Sequence, residues 1–294
     1  MKIKSKHSRH GESAGTGHPS PQRGFLAGKK AILIKTFILF VSAVLVSPAF
    51  AEPVSKTDNN VKTANHAFSS GEKLTYVISW SKILKAGTAV MEVREEKTPE
   101  GRRVYRLIST AKSAGIVSLF YPVEDIVQSV LDAEELYSLS YALNQKHGKR
   151  KKSRTMTFDH ASAVVRTTTN GVEQEASGIP ARVQDSLSSL YYVRTREDLS
   201  AGKSIFVDIH DSGKNWSVEM QILGKEKINT PAGEFDTIKV KTYPKYEGVF
   251  QNKGEIFVWF TDDARRVPVL MKSTISIGSI VAALTEMKPE EETK

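Results

Sequence analysis

Leu74-Thr75-Tyr76-Val77-Ile78-Ser79-Trp80 decides how the rest of this chain is read. Its large apolar residues fall at every second position. Side chains of an extended strand point to opposite faces in turn, so the run presents one apolar face and has the period of a β-strand. The same period returns at Ala89, Met91 and Val93, at Trp216, Val218, Met220 and Ile222, and at Ile256, Val258 and Phe260. Further strands are expected over 103–109, 125–131, 137–145, 154–159, 163–168, 204–209, 235–242 and 267–277. Turn-forming stretches separate many of them, among them Lys97-Thr-Pro-Glu-Gly101, Asp211-Ser-Gly-Lys-Asn215 and Thr230-Pro-Ala-Gly233.

One segment breaks the pattern. Leu187, Leu190 and Tyr191 are spaced by three and four, behind an Asp185 suited to capping a helix start. A single short helix is therefore expected around 185–195. About a dozen strands with one helix must pack on a second sheet or curl on themselves. The meander-like spacing favours a mainly β fold in which a curled antiparallel sheet forms a barrel or half-barrel, over a Greek-key sandwich. This body is expected to be a single β-rich domain over 71–288. A polar linker over 52–70 precedes it and a frayed tail over 289–294 follows.

Outward from that body, the first 51 residues differ in kind. Lys29-Lys30 precede an apolar core whose uninterrupted part runs from Phe37 to Val46, and Ala49-Phe-Ala51 closes it with small residues two apart. This is the pattern of an export signal, and the apolar run is short of the roughly 20 residues that span a bilayer. The expectation is an extended basic n-region with cleavage near Ala51, which leaves a soluble periplasmic protein. The charge distribution agrees. The chain carries 42 Lys and Arg against 33 Asp and Glu, a formal +9, but most of that excess lies in the first 51 residues. The high net charge therefore says little about what the folded part binds, and no nucleic-acid partner is expected. With no cysteine, disulfides, thiolate metal sites and cysteine nucleophiles are excluded.

Catalytic patterns are weak. Asp185, Ser186, Ser188, Ser189 and His210 could be assembled into a triad on paper, but no Gly-x-Ser-x-Gly elbow is present to strain the serine into place. His147, His160 and His210 each sit at a different turn, and His7, His10 and His18 lie in the leader, so no metal site and no cofactor are expected. Two features carry the binding expectation. Lys146-His-Gly-Lys-Arg-Lys-Lys-Ser-Arg154 holds Lys146, Lys149, Arg150, Lys151, Lys152 and Arg154 around one glycine, as a basic hairpin suited to an anionic surface. Trp80, Trp216, Trp259 and Tyr191 are the candidate contacts for a hydrophobic ligand. The strand 256–260 is apolar on both faces, so its outer face must be covered or must line a cavity.

Glu72-Lys-Leu-Thr-Tyr76 with Trp80 and Lys85-Ala-Gly-Thr88, the Arg182-Val-Gln-Asp185 and Ser188–Arg194 block, Thr230-Pro-Ala-Gly-Glu-Phe235, and Gly254–Phe260 followed by Asp263 and Arg266-Val-Pro268 together resemble the exported bacterial family known as domain of unknown function 3108. The resemblance implies a β-rich periplasmic protein with no assigned reaction and supplies no catalytic residues. The expected function is non-catalytic: an envelope protein that binds a lipid, a lipoprotein or another hydrophobic envelope component and makes a peripheral membrane contact. The alternatives are a structural or assembly factor that contacts envelope proteins and, more remotely, a hydrolase.

Overall fold

The computed structural model describes residues 65–81, 83–242, 255–274 and 278–288. The expected leader, its cleavage point at Ala51, the first part of the linker and the tail lie outside the described residues. The strands are β1 (Lys73–Trp80), β2 (Leu84–Lys97), β3 (Arg103–Ser113), β4 (Val123–Asp132), β5 (Ser138–His147), β6 (Arg150–Asp159), β7 (Val164–Thr169), β8 (Val172–Ser177), β9 (Ser204–Asp211), β10 (Lys214–Thr230), β11 (Gly233–Thr242), β12 (Ile256–Thr261), β13 (Pro268–Thr274) and β14 (Ser279–Lys288). Among the described residues two helices accompany them, α1 (Gly115–Phe120) and α2 (Ser188–Arg194).

All fourteen strands join one antiparallel sheet in the order β8-β7-β6-β5-β4-β3-β2-β1-β14-β13-β12-β11-β10-β9. Each half of the chain is a meander of sequential hairpins. The halves are zipped together in mid-sheet by β1 and β14, from Lys73 opposite Lys288 to Trp80 opposite Ile280.

The expected barrel or half-barrel is not formed: the sheet does not close. Its ends, β8 and β9, do not pair with each other, and there is a physical reason. The edge of β9 is occupied by the chain ahead of α2, where Gln184 N–H donates to the Asp208 carbonyl at 2.8 Å and His210 N–H donates to the Gln184 carbonyl at 2.8 Å. At the other end, Val172-Glu-Gln-Glu-Ala-Ser177 of β8 is almost wholly exposed, with only Ala176 partly packed against the core.

The alternation seen in the sequence sets the core. Leu74, Tyr76 and Ile78 of β1, Met91 and Val93 of β2, and Leu107 of β3 are buried on one face. The 178–203 connection adds Val183, Leu187, Tyr191 and Val193 to the same cluster. Of the stretch read as linker, the last six residues are described, and Ala67 and Phe68 among them are buried in this core. Arg194, at the end of α2, is fully buried. Its guanidinium meets both carboxylate oxygens of Glu72 at 2.7 Å and donates to the carbonyls of Ala67 and Arg265.

Gly87 marks a bulge rather than a turn. The register slips opposite Ile78 and Ser79, and β2 comes so close to β3 that a Cβ on Gly87 would lie 2.2 Å from the Lys112 carbonyl oxygen.

Candidate functional site

The basic segment is a β-hairpin. His147 pairs with Arg150 across the two-residue loop Gly148-Lys149. Gly148 takes φ +59°, the left-handed geometry that a type II′ hairpin turn requires at its first central position. The hairpin stands on a buried base. His147 Nε2 lies 2.6 Å from Asp125 Oδ1, and Gly148 N–H donates to the Pro122 carbonyl at 2.8 Å.

Alternation sorts its six cations. Lys146, Lys149, Arg150 and Lys151 are exposed and Lys152 is half-buried. Burial, and after it the charge of Arg154, lowers the Lys152 pKa. Lys146 and Lys151 face each other across the strands. On the far side of Lys146 stands Glu124, which is itself ion-paired to Lys112 at 2.8 Å. This row across β3 to β6 therefore carries three lysines and one carboxylate.

Arg154 departs from the sequence grouping, because it is buried rather than part of the basic surface. It donates to Asp211 Oδ1 at 2.9 Å and also bonds Ser212 and Thr169. Burial pushes the Asp211 carboxyl up to about 6, against the opposing pull of Arg154. Beside this pair are two adjoining clefts of about 280 Å³ each, bordered by Thr167, Gln174 and the Ser212-Gly213 turn.

The four aromatic candidates sit on four different elements. Trp80 ends β1, half-buried against Gly278. Trp216 is half-buried in β10, opposite Ile209. Tyr191 is buried in α2 with its ring edge-on to Phe68 at 5.0 Å. Trp259 is buried in β12, and its indole N–H donates to Glu226. The two-faced apolar strand is covered by lysine. The Lys239 ammonium lies 5.4 Å from the Phe257 ring centre and 5.0 Å from that of Trp259, while Lys241 lies 5.7 Å from Phe257. These are cation–π distances, so the outer rings need no cavity.

The catalytic combinations do not assemble. Asp185 is buried at the approach to α2. Its Oδ1 accepts from the backbone N–H groups of Leu187 and Ser188 at 2.8 and 2.9 Å, and its Oδ2 accepts from Ser129 and Ser138. Burial raises its pKa, and these hydrogen bonds oppose the rise. His160 Nε2 meets the Ser138 backbone carbonyl at 2.7 Å, and His210 Nδ1 meets Asn215 Oδ1 at 2.7 Å. Asp185 and the serines thus organise the helix start without a histidine. Among the described residues no three His, Asp or Glu side chains converge as a metal site.

The element beside the hairpin carries no sequence signal of its own. Gly115-Ile-Val-Ser-Leu-Phe120 folds as α1 between β3 and β4, and none of its residues is buried. Tyr121, which follows it, lays its ring beside Gly148 at the hairpin loop. Alternation could not reveal α1 because it spans less than two helical turns.

Comparison with known proteins places this architecture. The family model described as "Protein of unknown function (DUF3108)" matches residues 75–285. Among solved structures, a β-barrel-like protein of domain of unknown function DUF1849 from Brucella abortus has a TM-score of 0.50 at 8% identity, covering 75% of this chain and 98% of its own. At that identity the likeness concerns the fold alone. Two structures described as putative are more distant. An exported protein with a YmcC-like fold from Bacteroides fragilis has a TM-score of 0.34 at 12% identity, covering 75% of this chain and 97% of its own. A lipoprotein from Parabacteroides distasonis has a TM-score of 0.33 at 12% identity, covering 75% and 96%. No curated protein matches the chain. With a family model spanning β1 to β14, this chain belongs to the DUF3108 family of proteins of unknown function.

Proposed function

We propose that this protein is an exported, non-catalytic component of the cell envelope whose working contact is with anionic surfaces. The observation that carries the reading is the β5–β6 hairpin. It presents four exposed cations on a loop held by the His147–Asp125 and Gly148–Pro122 contacts. A cation near an anionic lipid surface gains roughly 1 kcal/mol, and four together amount to several orders of magnitude in binding if all engage. Export is supported by Lys29-Lys30, the apolar core and the Ala49-Phe-Ala51 end of the leader.

The test is co-sedimentation with phosphatidylglycerol-containing vesicles. Lys146, Lys149, Arg150 and Lys151 changed together to Gln should weaken binding at least about tenfold, and raised salt should reproduce much of that loss. Equal binding by wild type and variant would refute the reading.

A second reading, contact with envelope proteins as an assembly factor, draws on β8. This terminal strand is exposed and pairs on one side only, with β7, and such an edge can accept a partner strand. Cross-linking from a photoreactive residue at Val172 would test it. Reproducible adducts with one envelope protein would favour this reading over the lipid one.

A further inference from the structure

The five large apolar residues most at odds with an aqueous surface around the basic hairpin come from one end of the sheet. Ile83 and Leu84 lie at the β1–β2 turn, 86% and 40% exposed. Ile116, Leu119 and Phe120 of α1 are 63%, 80% and 74% exposed. Antiparallel order puts the end of β1, the start of β2, the end of β3, the start of β4 and the β5–β6 loop at this same end.

Specific contacts hold these parts together. Ala114 N–H donates to the Ala86 carbonyl at 2.9 Å, which ties the approach to α1 onto β2. Gly148 N–H donates to the Pro122 carbonyl, and Tyr121 packs at Gly148, which ties the far side of α1 to the basic loop. The helix contains no charged residue. A helix this short is not stable on its own, and it ordinarily gains stability by burying an apolar face; α1 tucks only Val117 partly against the core and leaves Ile116, Leu119 and Phe120 exposed.

We infer that this end of the sheet is a membrane-docking edge, in which Ile83, Ile116, Leu119 and Phe120 enter the acyl boundary of an anionic phospholipid bilayer while Lys146, Lys149, Arg150 and Lys151 contact its phosphates. The inference rests on the hairpin reading above and adds insertion to it. Charge complementarity selects the occupant. Apolar side chains flanked by lysine and arginine match the interface of an anionic leaflet, where apolar groups sit several ångströms below the headgroups and cations lie among the phosphates. A purely apolar partner would leave the adjacent cations unmatched, and a purely acidic one would leave α1 exposed to water.

The absence of cysteine from the chain permits a clean probe. Leu119→Cys is labelled with an environment-sensitive fluorophore in protein recovered after export, with its N-terminus sequenced so that the leader is known to be gone. It is then mixed with vesicles of phosphatidylethanolamine and phosphatidylglycerol, 3:1. The expected result is a blue shift and quenching by lipids that carry a shallow acyl-chain quencher. A second variant, Ile116→Ser with Leu119→Ser and Phe120→Ser, should bind the same vesicles at least tenfold more weakly, with an unchanged thermal transition. If the probe stays in water and the triple variant binds as wild type, with binding still abolished by salt, insertion is overturned and the hairpin reading stands. If wild type does not bind at all, both fall. If light scattering shows that wild type is a dimer which the triple variant dissociates, the face is a self-interface and the membrane assignment is overturned.

Discussion

Replacing Glu72 by Gln should be the most damaging conservative change in the described chain. Glu72 is 3% exposed and Arg194 is wholly buried. Two contacts of 2.7 Å join them in a bidentate pair, and the guanidinium also lies 5.4 Å from the Phe68 ring centre and 5.2 Å from that of Tyr191. The pair need not have added net stability when it formed, because desolvation offsets much of the attraction. Breaking it is different. Arg194 cannot shed its proton, so Glu72→Gln strands a buried cation with only neutral acceptors, the amide oxygen and the carbonyls of Ala67 and Arg265. Removing one partner of such a pair costs about 3–5 kcal/mol, a large share of the roughly 5–15 kcal/mol that holds a typical domain. Arg194→Met should cost less, near the bottom of that range. The remaining carboxylate keeps Arg265 Nη2 at 3.5 Å as a counter-charge. Changing both residues to Met should recover much of the loss, because neither charge is then stranded. Urea unfolding followed by tryptophan fluorescence measures all four proteins, provided the slope with denaturant is unchanged. The reasoning fails if Glu72→Gln loses under about 1 kcal/mol, or if the double variant loses the sum of the two single losses.

The Asp211 carboxyl, held near pH 6 by burial against about 3.9 when unfolded, binds its proton more tightly in the fold. Its contribution to stability is therefore greatest below about pH 4 and declines as pH rises through 6, by about 3 kcal/mol. Urea midpoints between pH 4 and 7 should show a slope that flattens in Asp211→Asn. Gly87→Ala forces a methyl into the Lys112 carbonyl and should destabilise by about 1–3 kcal/mol, the usual cost of overpacking; a change smaller than that in the thermal transition would show that β2 and β3 can separate there. Lys239→Met uncovers the rings of Phe257 and Trp259 and leaves Glu226 without its ion pair at 3.1 Å. A shift in Trp259 fluorescence with little loss of stability is expected, since exposed pairs contribute roughly 0–1 kcal/mol.

Strands whose two faces differ were legible in the sequence because burial imposes a period of two. Leu74, Tyr76 and Ile78 alternate in sequence and are buried in structure. The same rule explains what was missed. Strand β8 is mostly polar and almost wholly exposed, so burial imposes no clear alternation on it, and α1 is too short to show a helical period. Sheet closure was misjudged because strand count and turn spacing do not say which backbone groups meet an edge strand. Here Gln184, outside any strand, takes that place on β9. The basic hairpin was visible as a run of charge. That Arg154 turns inward follows from its position: it pairs with the buried Leu143 and shares that residue's face. The candidate aromatics could be picked by type, but their separation across β1, β10, β12 and α2 is a matter of topology.

The central β1–β14 ladder joins the first and last described strands, whose partners are about 200 positions apart in the chain. Every other rung links consecutive segments. As the polypeptide emerges, the first eight strands can stack as they appear, but β1 has one unsatisfied flank until the final ten residues of the sheet arrive. Through that interval Leu74, Tyr76 and Ile78 lie on an open, apolar edge prone to pairing with the wrong neighbour. A circularly permuted chain, linked from Lys288 to Asn65 so that Ala67, Phe68 and Glu72 are kept, and opened between Gly178 and Lys203, would turn this last closure into one more local hairpin. It should reach its native state faster, while the long-range partners of Arg194 become the new bottleneck.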